Sequence, residues 1–254
     1  MADPLNGAKY VLARASKHAA DFKAKLVAFN DSNPFIKGAE VDTNTGERVL
    51  KLKLGKEFPD DLLGLAFDTI CNLRSALDQA GYAASVAIGG KGKETYFPFG
   101  DTIAEVKSRR AGGSKEIPPE IFAVMEGFKP YQGGDDLLWS LNKLANTNKH
   151  RILVPVAIKA GEIQHMDASA TTDGPVRIAM NPEWDSDKNE MELGRIGGKG
   201  KFKYNVEITM SVAFGEIGVI SGAPADAVLD ALCNKVEGVL MAVEAEGKRI
   251  GIFP

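Results

Sequence analysis

The chain has 254 residues, of which 44% are hydrophobic and 26% charged, with a formal net charge of -3. That length and balance predict a globular protein that buries a core without staples, and they exclude a disordered, collagen-like or coiled-coil chain. The slightly acidic charge gives no global reason to approach nucleic acid or an anionic membrane, so any such contact must come from a local basic patch.

The first residues lack a basic stretch followed by an apolar run, and no long span is free of charge. Neither secretion nor membrane insertion is expected. Cys71 and Cys233 lie far apart in helical patterns without CxxC spacing, which predicts two structural core thiols in a reducing compartment, the cytoplasm.

From about Gly7 to Asn30, Tyr10, Val11, Ala15, His18, Ala19, Phe22, Leu26 and Phe29 recur at three and four, the spacing of an amphipathic helix. Asn33-Pro34 stops it. Leu50, Leu52 and Leu54 alternate with Lys51 and Lys53 beyond the turn signal Asn44-Thr45-Gly46, so a hairpin follows. Pro59-Asp60-Asp61 opens a second helix running to about Ser85, with a stripe of Leu63, Ala66, Phe67, Ile70, Leu73, Leu77, Ala80 and Ala84. Gly89-Gly90 ends it.

Shorter helices are predicted from Thr102 to Arg110, capped by Asp101, and from Pro119 to Gly127, with a longer one from Asp135 to about Asn148. Strand signals begin at Ile152-Leu153-Val154, and Phe202 to Phe214 alternates apolar with polar residues. A last helix starts near Pro224 with Val228, Leu229, Leu232, Val236, Val239, Leu240 and Val243 on one stripe and closes near Gly247. The order predicts an α+β fold in which a helical bundle packs against an antiparallel β-sheet. It reads as one unit over 1–254, with a helical part at about 59–150, a strand-rich part at about 151–221 joined near Arg151, and a C-terminal helix at about 224–247.

Within the second helix, at roughly 100° per residue, Arg74 lies about 40° from Ile70 and about 60° from Leu77, inside the apolar stripe. A guanidinium there must find acceptors, and Asp78, one turn on, is the nearest. A structural Arg–Asp pair that fixes helix register accounts for these residues. So does an anion site in which Asp78 orients the arginine fork. The second polar cluster, Asn146-Thr147-Asn148-Lys149-His150-Arg151, closes the helix that contains Trp139, Leu141 and Leu144. Its cations suit a helix C-terminus, and its imidazole also offers titratable chemistry at a helix-to-strand junction.

Other motifs carry less. The glycine and lysine loops at 89–93, 109–115 and 197–201 miss the phosphate-loop pattern, because Glu94 and Phe202 follow where a hydroxyl residue belongs. They read as solvated turns, with a phosphate-contacting rim as the alternative. Asp185 to Ile196 lacks the glycine and final acid of a calcium loop, and His165-Met-Asp167 has no second histidine at zinc spacing. No metal site and no cofactor are expected, and neither a nucleophile elbow nor a dinucleotide fingerprint is present.

The segments Asn72 to Tyr82, Tyr96-Phe97-Pro98-Phe99, Pro130-Tyr131 and Leu138 to Arg151 resemble a family of uncharacterised bacterial proteins with an "LRSALD" helix and a later "DKHR" segment. The resemblance spans about Pro59 to Val154 and implies no activity. Such proteins often carry His where Gln79 stands and Asp where Asn148 stands. With His at 79 the helix would be similar to the Arg-x4-His motif of HEPN-type ribonucleases, helical bundles that use both residues to cleave RNA. Gln79 is neither acid nor base at neutral pH, so that chemistry would need His150 as a substitute.

The residues therefore point first to a non-catalytic anion-binding, ligand-binding or interaction protein with a site of Arg74, Asp78, Asn148, Lys149, His150 and Arg151. The alternative is a HEPN-like, degenerate ribonuclease or toxin-type nucleic-acid enzyme. Expected partners are an anionic ligand or RNA, and a second copy of the chain through its long apolar stripes, but not a membrane.

Overall fold

A computed structural model describes residues 3–147, 156–179, 182–185, 188–214 and 220–254, although the side chains of a further set within 156–170 and 200–210 fall outside that description. The chain divides into two compact units. One comprises Met1–Lys23, Asp61–Val156 and Ala213–Pro254, and the other Ala24–Asp60 and Ala157–Val212. The class is α+β, with most helical residues in the first unit and an antiparallel sheet in the second.

Helix α1 spans Asn6–Asp31, and its buried stripe is Leu5, Ala8, Ala15, Ala19, Phe22, Leu26 and Phe29. Tyr10, placed on that stripe by the sequence reading, is exposed instead. It stands two residues, roughly 200° of helical rotation, beyond Ala8. Helix α2, Asp61–Ala87, buries Leu62 rather than Leu63, together with Ala66, Thr69, Ile70, Leu73, Ala76, Leu77, Ala80, Gly81, Ala84 and Ser85. That set is wider than one stripe, because both α5 and α6 pack on the helix. Gly89 takes φ +83 while the Gly90 N–H returns to Ser85 O at 2.9 Å, so the left-handed residue that stops α2 is a glycine.

Helix α3 spans Ile103–Ser108, followed by a short 3-10 turn at Arg109–Ala111, and α4 spans Pro119–Gly127. The cap of α3 is Thr102, whose hydroxyl accepts the Glu105 N–H at 3.2 Å, and not Asp101. The Asp101 carboxylate is taken by Trp139 Nε1 at 2.8 Å and Lys143 Nζ at 2.7 Å. Helix α5, Asp136–Thr147, is capped by Asp135, which accepts the Leu138 N–H at 3.0 Å. Helix α6, Ala225–Arg249, buries Val228, Leu229, Leu232, Val236, Val239, Leu240 and Val243, the full stripe read from the sequence, against α2, α4 and α5.

In the sheet unit, β1 (Phe35–Val41) and β2 (Arg48–Leu54) form the expected hairpin. The sheet continues through β6 (Glu190–Ile196) to β4 (Val176–Ile178), and β5 (Trp184–Asp185) also pairs with β6. Among the described residues every pairing in this sheet is antiparallel. A bulge in β6 skips Leu193 between Glu192 and Gly194, so Met191 and Ile196 face the same side despite their odd spacing. With Leu50, Leu52 and Leu193 they make the core of this unit, against which Phe35 and Trp184 pack. Two long strands, β3 (Val156–Thr172) and β7 (Gly200–Phe214), pair separately.

Candidate functional site

Arg74 sits on α2 between the buried Leu73 and Leu77, and its side chain is 21% exposed. Its guanidinium lies over the Phe99 ring, 4.4 Å from the centroid, so the apolar neighbour supplies a cation–π contact. Nη1 stands 3.4 Å from Asp78 Oδ1 as an i,i+4 ion pair, yet that buried nitrogen makes no hydrogen bond. Asp78 is engaged elsewhere: its Oδ1 accepts the Phe97 N–H at 2.8 Å. The carboxylate thus anchors the Tyr96-Phe97-Pro98-Phe99 run to α2 and offers Arg74 charge without good hydrogen-bond geometry.

Burial is the largest influence on Arg74 and pushes its proton affinity below the ordinary value; Asp78 opposes this, and Arg109 adds to it. Arg109 reaches the same aromatic residue from its backbone side, with Nε donating to Phe99 O at 3.0 Å. The cation is therefore held and stacked but under-compensated, and a buried donor left without an acceptor is costly.

The Arg74 side chain belongs to the wall of a cavity of about 340 Å³, lined by Phe67, Cys71, Arg74, Ser75, Asp78, Tyr96, Ala145 and Asn146. Phe67, Cys71, Arg74, Ser75 and Asp78 follow the three-and-four spacing of one α2 face. Cys71, read from the sequence as core, is partly exposed there, whereas Cys233 is buried and burial pushes its thiol up. Tyr96 is 57% exposed at the rim. The sequence reading missed Phe67, Ser75, Cys71 and Tyr96 as lining residues. Counting three back from Arg74 would have found Cys71, and counting four either way from Cys71 would have found Phe67 and Ser75; Tyr96 is brought in only by the Asp78 anchor.

Of the residues expected to form the site, Arg74 and Asp78 stand together at this cavity. Asn148, Lys149, His150 and Arg151 lie outside the described residues. Gln79 donates through Nε2 to Ser75 Oγ at 3.3 Å.

A larger cavity of about 530 Å³ lies between α1 and α6, lined among others by Lys9, Ser16, Cys233, Glu237 and Met241. Its cation is already satisfied, because Lys9 pairs with Asp3 at 2.8 Å and Glu244 at 2.6 Å. The smaller cavity is the better candidate on chemistry.

Two of the three glycine and lysine loops hold an internal carboxylate where a phosphate would sit. The Lys93 N–H and Ser85 Oγ both donate to Glu116 Oε2, at 3.3 Å and 3.2 Å, and the Lys199 N–H donates to Asp173 Oδ1 at 2.7 Å. Burial alone would raise the Glu116 carboxyl, but backbone N–H groups of the loop draw it below the usual range. The third loop turns on itself through Arg110 Nη1 to Lys115 O at 2.8 Å.

Among the described residues no group of three or more His, Cys, Asp and Glu side chains is placed to hold a metal, and no helix is long and apolar enough to cross a membrane. Comparison with known protein families, curated proteins and solved structures finds no match.

Proposed function

We propose that the protein is a non-catalytic binder of a small anionic ligand, received in the groove along α2 with Arg74 as the principal donor and Asp78 as its orienting partner. The observation that carries this reading is Arg74 itself, whose buried Nη1 has no hydrogen-bond partner and whose partly exposed side chain lines a cavity large enough for a ligand. A purely structural Arg–Asp pair would be expected to close its hydrogen bond, and this one does not. The basic run Lys149-His150-Arg151 begins three residues beyond Asn146 in the chain. Its contribution is proposed on that adjacency alone.

Turnover of RNA in the HEPN manner is the less supported alternative. The position one helical turn beyond Ser75 holds a carboxamide, Gln79, that cannot move a proton at neutral pH.

The test is a thermal-shift and calorimetric titration of the full chain with formate, acetate, phosphate and sulfate. Binding should be present in the natural chain and lost in Arg74→Met, with far-UV circular dichroism unchanged. Anion binding indifferent to Arg74→Met would remove the reading. RNA cleavage abolished by His150→Ala would replace it with the enzymatic one.

A further inference from the structure

The groove is graded along its helix. Its α2 wall begins with Phe67 and Cys71 and continues to Arg74, Ser75 and Asp78. That distance is about 16 Å at the helical rise per residue. A ligand lying along it would meet an aromatic ring and a thiol before it met the cation. The volume of about 340 Å³ is near the lower end of the roughly 300–1,000 Å³ usual for small-molecule sites.

The charges in this neighbourhood do not cancel. Arg74 and Asp78 are a formal +1 and -1, and Arg109 is a third charge at the same aromatic residue. Among the described residues Arg109 has no carboxylate partner; its hydrogen bond goes to the neutral Phe99 carbonyl. Among the described residues one positive charge is left over. A single negative charge matches it, whereas a dianion would overshoot. A carboxylate can meet the fork of a guanidinium with two hydrogen bonds.

We infer that the groove takes a small monocarboxylate with an apolar body, its carboxylate on Arg74, its body along Phe67 and Cys71, and its charge balanced by Arg109. The inference rests on the anion-binding reading above and narrows it to a ligand class. Aryl and alkyl bodies share the required chemistry.

Calorimetric titration of the full chain with benzoate, octanoate, acetate, benzamide and phenyl phosphate tests it. Benzoate or octanoate, whichever body fits, should bind more tightly than acetate. Benzamide, which keeps the ring and loses the charge, should bind about tenfold more weakly than benzoate or not at all. Arg109→Ala should weaken carboxylate binding by about three- to tenfold, and the loss should shrink as salt is raised. Arg110→Ala should leave binding unchanged, because that side chain is spent on the Lys115 carbonyl.

Phenyl phosphate binding more tightly than either carboxylate would overturn the single-charge inference, and acetate equalling benzoate and octanoate would overturn the apolar body. Either result leaves the anion-binding reading standing, which falls only if no anion depends on Arg74. The ligand series on the natural chain decides the charge and the body even if a variant fails to fold.

Discussion

Arg74 in the helical unit and Arg195 in the sheet unit carry the same side chain into half-covered settings and are treated in opposite ways. Arg195 gives Nε and Nη2 to the two oxygens of Glu192, at 2.7 Å and 3.0 Å, and Nη1 to Asp42 at 2.8 Å. Its hydrogen bonds to Glu192 and then to Asp42 push it further towards the charged form. Arg74 is pushed the other way by burial, with one nitrogen unbonded. A fork that closes on Glu192 of its own strand and on Asp42 beyond the end of β1 is fully spent within the sheet unit. A fork left open on a cavity wall is poised for something else. The sheet treats its lysines like its arginine: Lys51 pairs with Glu190 at 2.6 Å and with Glu40 at 2.8 Å, and Lys53 pairs with both.

The largest effect should come from the frame that presents Arg74. Leu73 is fully buried on α2, and Leu73→Ala should cost about 2–5 kcal/mol through lost transfer energy and an unfilled cavity. Urea unfolding would measure it; a loss well under 1 kcal/mol would mean that this face of α2 is not core. Next comes a pair of substitutions whose signs should differ. Arg195→Met strips three charge-assisted hydrogen bonds from a partly exposed network and should lower stability. Arg74→Met replaces an under-compensated cation with an apolar chain while Asp78, itself partly exposed, keeps the Phe97 N–H, so stability should hold or rise slightly. If both variants lose stability equally, the contrast between the two arginines is wrong.

The sheet should also announce itself in acid. Hydrogen bonds from Lys51 and then Lys53 hold the Glu40 carboxyl down from 4.5 to about 2, and Lys51 does the same, in direction, for Glu190. A carboxyl lowered by folding contributes stability that is complete above its unfolded value and is lost as pH falls towards the folded one. The window for Glu40 therefore runs from about 4.5 down to about 2. Lys51 and Lys53 are raised, so their share persists below the ordinary lysine value and disappears only in strong base. Glu40→Gln should leave neutral stability slightly lower and the acid limb shallower than in the natural chain. Parallel acid limbs would show that the ladder contributes nothing that titrates.

Periodicity made the helices and the hairpin legible, because burial on one face leaves its mark every three or four residues in α6 and every second residue in β2. It failed where two partners cover one helix, as for Thr69, Ala76 and Ser85 of α2, since a broad buried surface blurs the stripe. The bulge at Leu193 was not legible either: one skipped residue has no compositional signature. At the site, the oddity of Arg74 and its partner Asp78 could be seen in sequence. Phe99 beneath the guanidinium and Tyr96 at the rim could not, because they arrive through a backbone hydrogen bond to Asp78 from nineteen residues away.

The smallest effect separates two neighbours that the sequence confuses. Asp101 and Thr102 are both good capping residues, and only the structure assigns the cap of α3 to the threonine. Thr102→Ala should cost about 1 kcal/mol, the usual worth of a lost cap, and by the same amount at every pH because a hydroxyl does not titrate. Asp101 works through Lys143 and then Trp139, which hold its carboxyl below the usual range. The Lys143 pair is half exposed, so Asp101→Asn should cost only a few tenths of a kcal/mol, about what an exposed pair contributes. That deficit should vanish as pH falls, since the natural carboxylate then becomes protonated and loses its advantage over the amide. Amide exchange at Glu105, whose N–H the cap holds, should quicken in Thr102→Ala and not in Asp101→Asn. The reverse pattern would return the cap to Asp101 and leave Trp139 without its acceptor.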